Sequence, residues 1–186
     1  MRVIAGSAGG LSLLLPKNDL RPTMDMVKGA IFSSLGDAII GARVLDLFAG
    51  SGGLGIEALS RGAASVTFVE SDRRAISTIE RNLEKTKLTG RVQAFDVFRF
   101  LDRFAAAGSY DLILADPPYA KMPGERDFTP ELLGSEPLRQ ALAPGGVFVL
   151  EHLPGAQLPL RNVWECFRQR RYGGTEVAFL RIADLA

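Results

Sequence analysis

The chain has 186 residues, 47% of them hydrophobic and 23% charged, which fits one cored globular domain. Its 22 Lys and Arg against 21 Asp and Glu give no basic excess, so any nucleic-acid surface has to be local. Cys166 and His152 stand alone of their kinds, excluding an internal disulfide, a Cys/His zinc cluster and a Cys-His nucleophilic pair; both are read as structural, and no metal site is expected.

At the N-terminus, "RVIAG" and "LSLLLP" flank a Gly-rich turn and predict a small β-hairpin. The stretch "RPTMDMVKGAIFSSLG" then predicts a helix with Met26, Ala30 and Ile31 at apolar spacing and Gly36 as its stop. Residues 1–40 are thus expected to form an extension, without a linker, of a core at 41–186, the whole being one domain. No run approaches the ~20 apolar residues of a membrane span, and the first residues lack a secretory apolar segment, so a cytoplasmic protein is expected.

Further on, "RVLDLF" (43–48), "SVTFVE" (65–70), "RVQAF" (91–95), "YDLILA" (110–115) and "GGVFVLE" (145–151) read as strands with helical segments between them. Such alternation predicts an α/β fold with a mostly parallel sheet. Ile76, Ile79 and Leu83 set the apolar stripe of the helix after the second strand. Near the C-terminus Gly173-Gly174 divides two β-prone runs, predicting an antiparallel hairpin at the end of the sheet.

The loop "DLFAGSGGLGIEALSRGA" follows the first strand, with Gly50, Gly52 and Gly55 in G-x-G-x-x-G spacing and Glu70 ending the next strand. This pattern suits a ribose-bearing cofactor, with Glu70 as acceptor for ribose hydroxyls. Alone it fits a dinucleotide too. Asp46, inside the strand end, favours a ligand with a positive charge, such as S-adenosylmethionine. Asp96 has two readings of equal standing: acceptor for the adenine amine beside the Val97 amide, or N-cap of the helix "DVFRFLDRF".

The fourth strand ends in Asp116-Pro117-Pro118-Tyr119. Strand ends of an open α/β sheet face the ligand crevice, which places this tetrapeptide beside the cofactor loop. The Asp116 carboxylate and Pro117 carbonyl can accept from an exocyclic amine whose charge rises as a methyl arrives, and Tyr119 can stack on a flat base. The bland alternative is a proline-terminated strand with a packed tyrosine.

In this order the glycine loop, "VTFVESD" and "DPPY" resemble the S-adenosylmethionine-dependent amino-methyltransferases, and "RPTMDMVKGAIFSSL" with "RRYGGTEVAFLRI" narrows the resemblance to the bacterial 16S rRNA guanine-N2 methyltransferase family, RsmD. The resemblance implies a Rossmann-like class I methyltransferase fold with a seven-stranded sheet, and methylation of a guanine N2 amine in small-subunit rRNA. It places the cofactor loop on Asp46, Phe48, Ala49, Gly50, Ser51 and Gly52, the ribose acid on Glu70 with Ser71 following, and the Arg-Pro-Thr motif on Arg21 to Thr23, over the cofactor and RNA. Naked rRNA or an assembled small subunit is the implied partner, and a monomer the expected state. This chain departs from the family in carrying no Lys or Arg from position 3 to 16, and in having Met26 and Gly29 where Arg and Glu are usual. Lys121, Arg126, Arg168 and Arg170 are candidates for the compensating RNA contacts, with a charged, solvated edge strand as the alternative for the last two. The loop "AKMPGERDFTP" is a candidate substrate lid. Other readings are an amino-methyltransferase acting on DNA adenine N6 or protein glutamine, a nicotinamide-dependent oxidoreductase, and a non-catalytic RNA-binding module.

Overall fold

The computed structural model describes residues 1–15, 24–120 and 124–183; Arg21, Thr23 and Lys121 lie outside them. A hairpin at residues 1–13 and helix α1 (Met24–Leu35) come first. Strand and helix then alternate as β1 (Arg43–Leu47), α2 (Gly53–Ser60), β2 (Ser65–Glu70), α3 (Arg73–Thr86), β3 (Arg91–Ala94), α4 (Val97–Phe104) and β4 (Tyr110–Ala115). Two short helices, α5 (Phe128–Gly134) and α6 (Glu136–Ala141), precede β5 (Leu142–His152) and the hairpin of β6 (Trp164–Tyr172) and β7 (Thr175–Ile182).

The seven strands form one sheet in the order β3-β2-β1-β4-β5-β7-β6. The first five are parallel, and β7 runs antiparallel to both β5 and β6. Strands β1 and β4 are apolar and buried on both faces because helices cover each side. The hairpin and α1 to α3 pack on one face through Val3, Ile31, Phe32, Ile56 and Ile79. On the other face α4 to α6 pack through Phe100, Leu101, Leu132 and Leu138. The chain leaves β1 toward β2 on one side and returns to β4 on the other, so the order reverses between β1 and β4. That reversal opens a crevice at the carboxyl ends of the two strands, which is where open α/β sheets hold ligands.

Local chemistry sets the ends of the elements. Asp72 caps α3 by accepting from the Arg74 and Ala75 amides, and Asp96 caps α4 through Oδ1 from Phe98 and Arg99. At Gly55 a side-chain carbon would lie 2.2 Å from the Phe68 ring, so the third glycine lets α2 lie close on β2.

Several expectations are corrected. In α1 it is Val27, Lys28, Ile31 and Phe32 that are buried, while Met26 is exposed, because the helix turns its other stripe to the hairpin. Strand β5 begins at Leu142 rather than 145, since Leu142 pairs with Tyr110 ahead of a register shift. Phe128 to Pro130, read as part of a loop, already form α5, whose N-cap Asp127 accepts from the Thr129 amide.

A buried charge cluster ties the extension to the core. The Glu57 carboxylate, fully buried on α2, accepts from the Ile4 and Ala5 amides at 2.7 and 3.1 Å and pairs with Arg61 and Lys28. Lys28 also donates to the Arg2 carbonyl, and burial holds its ammonium below the usual lysine range. The cation of α1 is therefore spent on the hairpin.

Candidate active site

A cavity of about 760 Å³ opens at the β1/β4 crevice. Its walls bring together Asp46, Phe48, Ala49, Gly50 and Ser51 from the β1–α2 segment, Glu70 and Ser71 from the end of β2, and Asp96 and Val97 from the start of α4. The same cavity is lined by Asp116, Pro117, Pro118 and Tyr119. The residues read separately as cofactor loop and amine-binding tetrapeptide thus share one volume, in the size range of small-molecule sites.

Backbone curling shapes the loop. Phe48, Gly50 and Gly52 have φ of 55°, 55° and 79°, so every second residue is left-handed. For Phe48 this is strained, and its ring is braced on Phe128 at 5.0 Å. Gly52, expected on the cofactor wall, does not line the cavity. It turns the chain into α2, with Ile56 and Ile79 close behind it.

Glu70 fastens this loop. Its Oε2 accepts from the Gly50 amide at 2.8 Å, and its Oε1 from Ser71 and Asp72 at 2.7 and 2.9 Å. Asp96 lines the cavity while its Oδ1 caps α4, so the two readings of Asp96 are compatible.

Asp46 is 1% exposed, and its Oδ2 accepts from the Gly55 amide at 2.9 Å. Burial pushes its carboxyl up to about 8, with the charges of Asp116 and Glu70 adding to the rise and the Gly55 hydrogen bond opposing it. The cavity thus gathers the carboxyl groups of Asp46, Glu70 and Asp116. The raised value also sets a sign for stability. The native state holds a proton on Asp46 that the unfolded chain releases near 3.8, so Asp46 lowers stability progressively as pH climbs from there through about 8. Asp46→Asn is accordingly expected to melt higher relative to the wild type as pH rises through this window; a melting difference independent of pH would contradict the assignment.

Other wall residues were not foreseen. Met1, Met24 and Lys28 enter from the extension, Phe128 from α5, Glu151 from β5, and Gly174 and Thr175 from the β6–β7 turn. Glu151 had a legible signal, since it ends an apolar strand run as Asp116 does. The Tyr119 hydroxyl lies 2.5 Å from Thr175 Oγ1, which links the tetrapeptide to β7.

The candidate RNA arginines do not line the cavity. Arg126 makes a two-pronged pair with Glu131 and sits over the rings of Phe98 and Phe128. Arg168 and Arg170 share a face of β6, an edge strand, where Arg168 donates to the Ser34 carbonyl at the end of α1.

Among solved structures, the Escherichia coli protein yhhF superposes with a TM-score of 0.79 at 30% identity, covering 98% of each chain. The Thermus thermophilus 16S rRNA N2 guanine methyltransferase RsmC, solved with AdoMet and guanosine, has a TM-score of 0.71 at 25% identity, covering 89% of this chain and 44% of that one. By sequence, the Bacillus subtilis protein YlbH is 40% identical over 97% of this chain and 98% of its own length. Ribosomal RNA small subunit methyltransferase D of Escherichia coli K12 is 39% identical over 124 residues, 65% of this chain and 61% of that one. A family model described as Conserved hypothetical protein 95 matches residues 1–181, and with these relatives it shows that the chain belongs to the methyltransferase D family.

Proposed function

We propose that this protein methylates ribosomal RNA with S-adenosylmethionine, and that its acceptor is the exocyclic N2 amine of a guanine in small-subunit rRNA. The observation that carries this reading is the single cavity shared by the glycine loop, Glu70 and Asp116 to Tyr119. The residues fit the cofactor. Glu70 and Asp116 bring carboxylates to the cavity, which suits a cationic ligand whose charge would favour ionisation of Asp46 beside them, and the left-handed turns at Phe48 and Gly50 let the backbone approach it. Glu70 would take the ribose and Asp96 with Val97 the adenine, while Ser51 and Ser71 line the walls between. When bound, S-adenosylmethionine supplies an electrophilic methyl group on a sulfonium.

The chain's own contribution is to position and polarise the acceptor. Asp116 and the Pro117 carbonyl accept the two amine hydrogens, which favours a pyramidal nitrogen whose lone pair is less delocalised into the ring and stabilises the positive charge that develops on it. Pro117 is buried and Pro118 follows it, so the directions of these acceptors are fixed. The Tyr119 ring holds the base. The amine loses its proton to Asp116 or to water once the bond has formed.

The methyltransferase D relative and the RsmC structure support the choice of rRNA and of guanine N2. We place the protein in the cytoplasm as a monomer acting on the assembled subunit or on free rRNA. Arg126, Arg168 and Arg170, with Lys121, would meet the RNA, and Arg21 and Thr23 would serve the cofactor. Among the described residues no helix is long and apolar enough to cross a membrane. Nucleoside mass spectrometry after incubation with S-adenosylmethionine and unmodified small subunits, naked rRNA or plasmid DNA tests the reading. N2-methylguanosine in an RNA sample is expected. N6-methyladenine in the DNA, or no mark in any sample, would overturn it.

A further inference from the structure

Glu151 stands at the carboxyl end of β5, beside the strand end that carries Asp116. The register pairs Ala115 with Leu150, so Asp116 and Glu151 are the next residues on adjacent strands, separated by about one strand spacing of 4.8 Å. Both line the cavity. Glu151 is 8% exposed, and a carboxylate at that depth requires donors around it. One is Thr175, whose Oγ1 lies 3.4 Å from Glu151 Oε2 and 3.5 Å from the His152 carbonyl. Thr175 Oγ1 also meets the Tyr119 hydroxyl, a contact in which either hydroxyl can donate. The side chain that holds the base and the buried acid are thereby set relative to each other.

The two adjacent acids match a feature of guanine. Its Watson–Crick edge presents the N2 amine and, next to it, the N1 proton, so two neighbouring donors meet two neighbouring carboxylates. In adenine and in 2-aminopurine the ring nitrogen beside the amine is an acceptor, which a buried carboxylate repels. Resting on the functional reading above, we propose that Glu151 accepts the N1 proton of the target guanine while Asp116 and the Pro117 carbonyl hold its amine, and that this contact selects guanine among amine-bearing bases.

The test compares kcat/KM on RNA, or on small subunits reconstituted with it, carrying either guanosine or 2-aminopurine ribonucleoside at the mapped target. 2-Aminopurine keeps the amine at C2 and loses the N1 proton. The wild type is expected to prefer guanosine by at least about 100-fold, as sites built around a substrate N–H do. In Glu151→Gln the amide can turn its NH2 toward the bare ring nitrogen, so the preference is expected to fall below about tenfold, with S-adenosylhomocysteine affinity unchanged. Wild-type rates on the two substrates within about threefold would overturn the proposal without recourse to any variant, as would an undiminished preference in Glu151→Gln. If the variant does not fold, the wild-type comparison decides. Absence of N2-methylguanosine with the guanosine substrate would instead overturn the functional reading itself, whereas methylation without discrimination overturns only the role of Glu151.

Discussion

Asp116→Ala is expected to lower kcat by about 10²–10³-fold or more, the loss typical of removing one preorganised group that stabilises developing charge. Affinity for S-adenosylhomocysteine should stay within about threefold, because Asp116 acts on the acceptor amine; its thioether carries no charge, so this probe separates cofactor shape from cofactor charge. Asp116→Asn keeps one acceptor oxygen and the strand-end geometry, and should fall between the two. The substitution has a second readout. The charge of Asp116 is one of the causes that raise Asp46, so removing it should lower the pH at which Asp46 ionises. Affinity for cationic S-adenosylmethionine is expected to rise with pH in the wild type as Asp46 ionises, and should reach its plateau at lower pH in Asp116→Ala. A loss of S-adenosylhomocysteine affinity much greater than threefold would instead assign Asp116 to the cofactor.

The parts legible in the sequence are those with local causes. The β1 and β4 runs are apolar because both faces are covered, and the fourth ends where Pro117 and Pro118 leave no amide to donate. Gly173-Gly174 announced the β6–β7 hairpin because a two-residue turn of that geometry needs such residues, and Tyr172 indeed pairs with Thr175. The rest depends on contacts between distant segments. Met1, Met24 and Lys28 reach the cavity from an extension that Glu57 fastens by binding the hairpin amides and Lys28 together, and nothing in "MDMVKGA" marks Lys28 as buried. Gly52 matched a cofactor pattern but serves the turn into α2, since a glycine motif does not distinguish touching a ligand from allowing a neighbour to touch it. The parity of Arg168 and Arg170 was readable, because the shift at Cys166 precedes both, but the use of Arg168 at the end of α1 is a tertiary contact.

Glu70→Ala is expected to act in the opposite sense, on cofactor binding rather than on the methyl acceptor. The carboxylate offers about four lone-pair sites, and the Gly50, Ser71 and Asp72 amides engage three of them. One site, on Oε2, is left for a ribose hydroxyl, and a second ribose bond has to share with the amide of Gly50. The alanine variant thus loses the ribose contact and releases the loop that forms the cofactor wall. Charge-assisted hydrogen bonds of this kind are worth roughly 1.5–3 kcal/mol, so the Kd for S-adenosylhomocysteine should rise about 10–100-fold. Glu70→Gln should lose nearly as much. Its single oxygen can serve Gly50 or the Ser71–Asp72 pair, and its NH2 must then face a backbone donor. At saturating cofactor kcat should remain within about threefold of the wild type, because Glu70 does not face the amine. Calorimetric titration of S-adenosylhomocysteine into the wild type and both variants checks the order, and an unchanged Kd in Glu70→Ala would move the ribose site away from the end of β2.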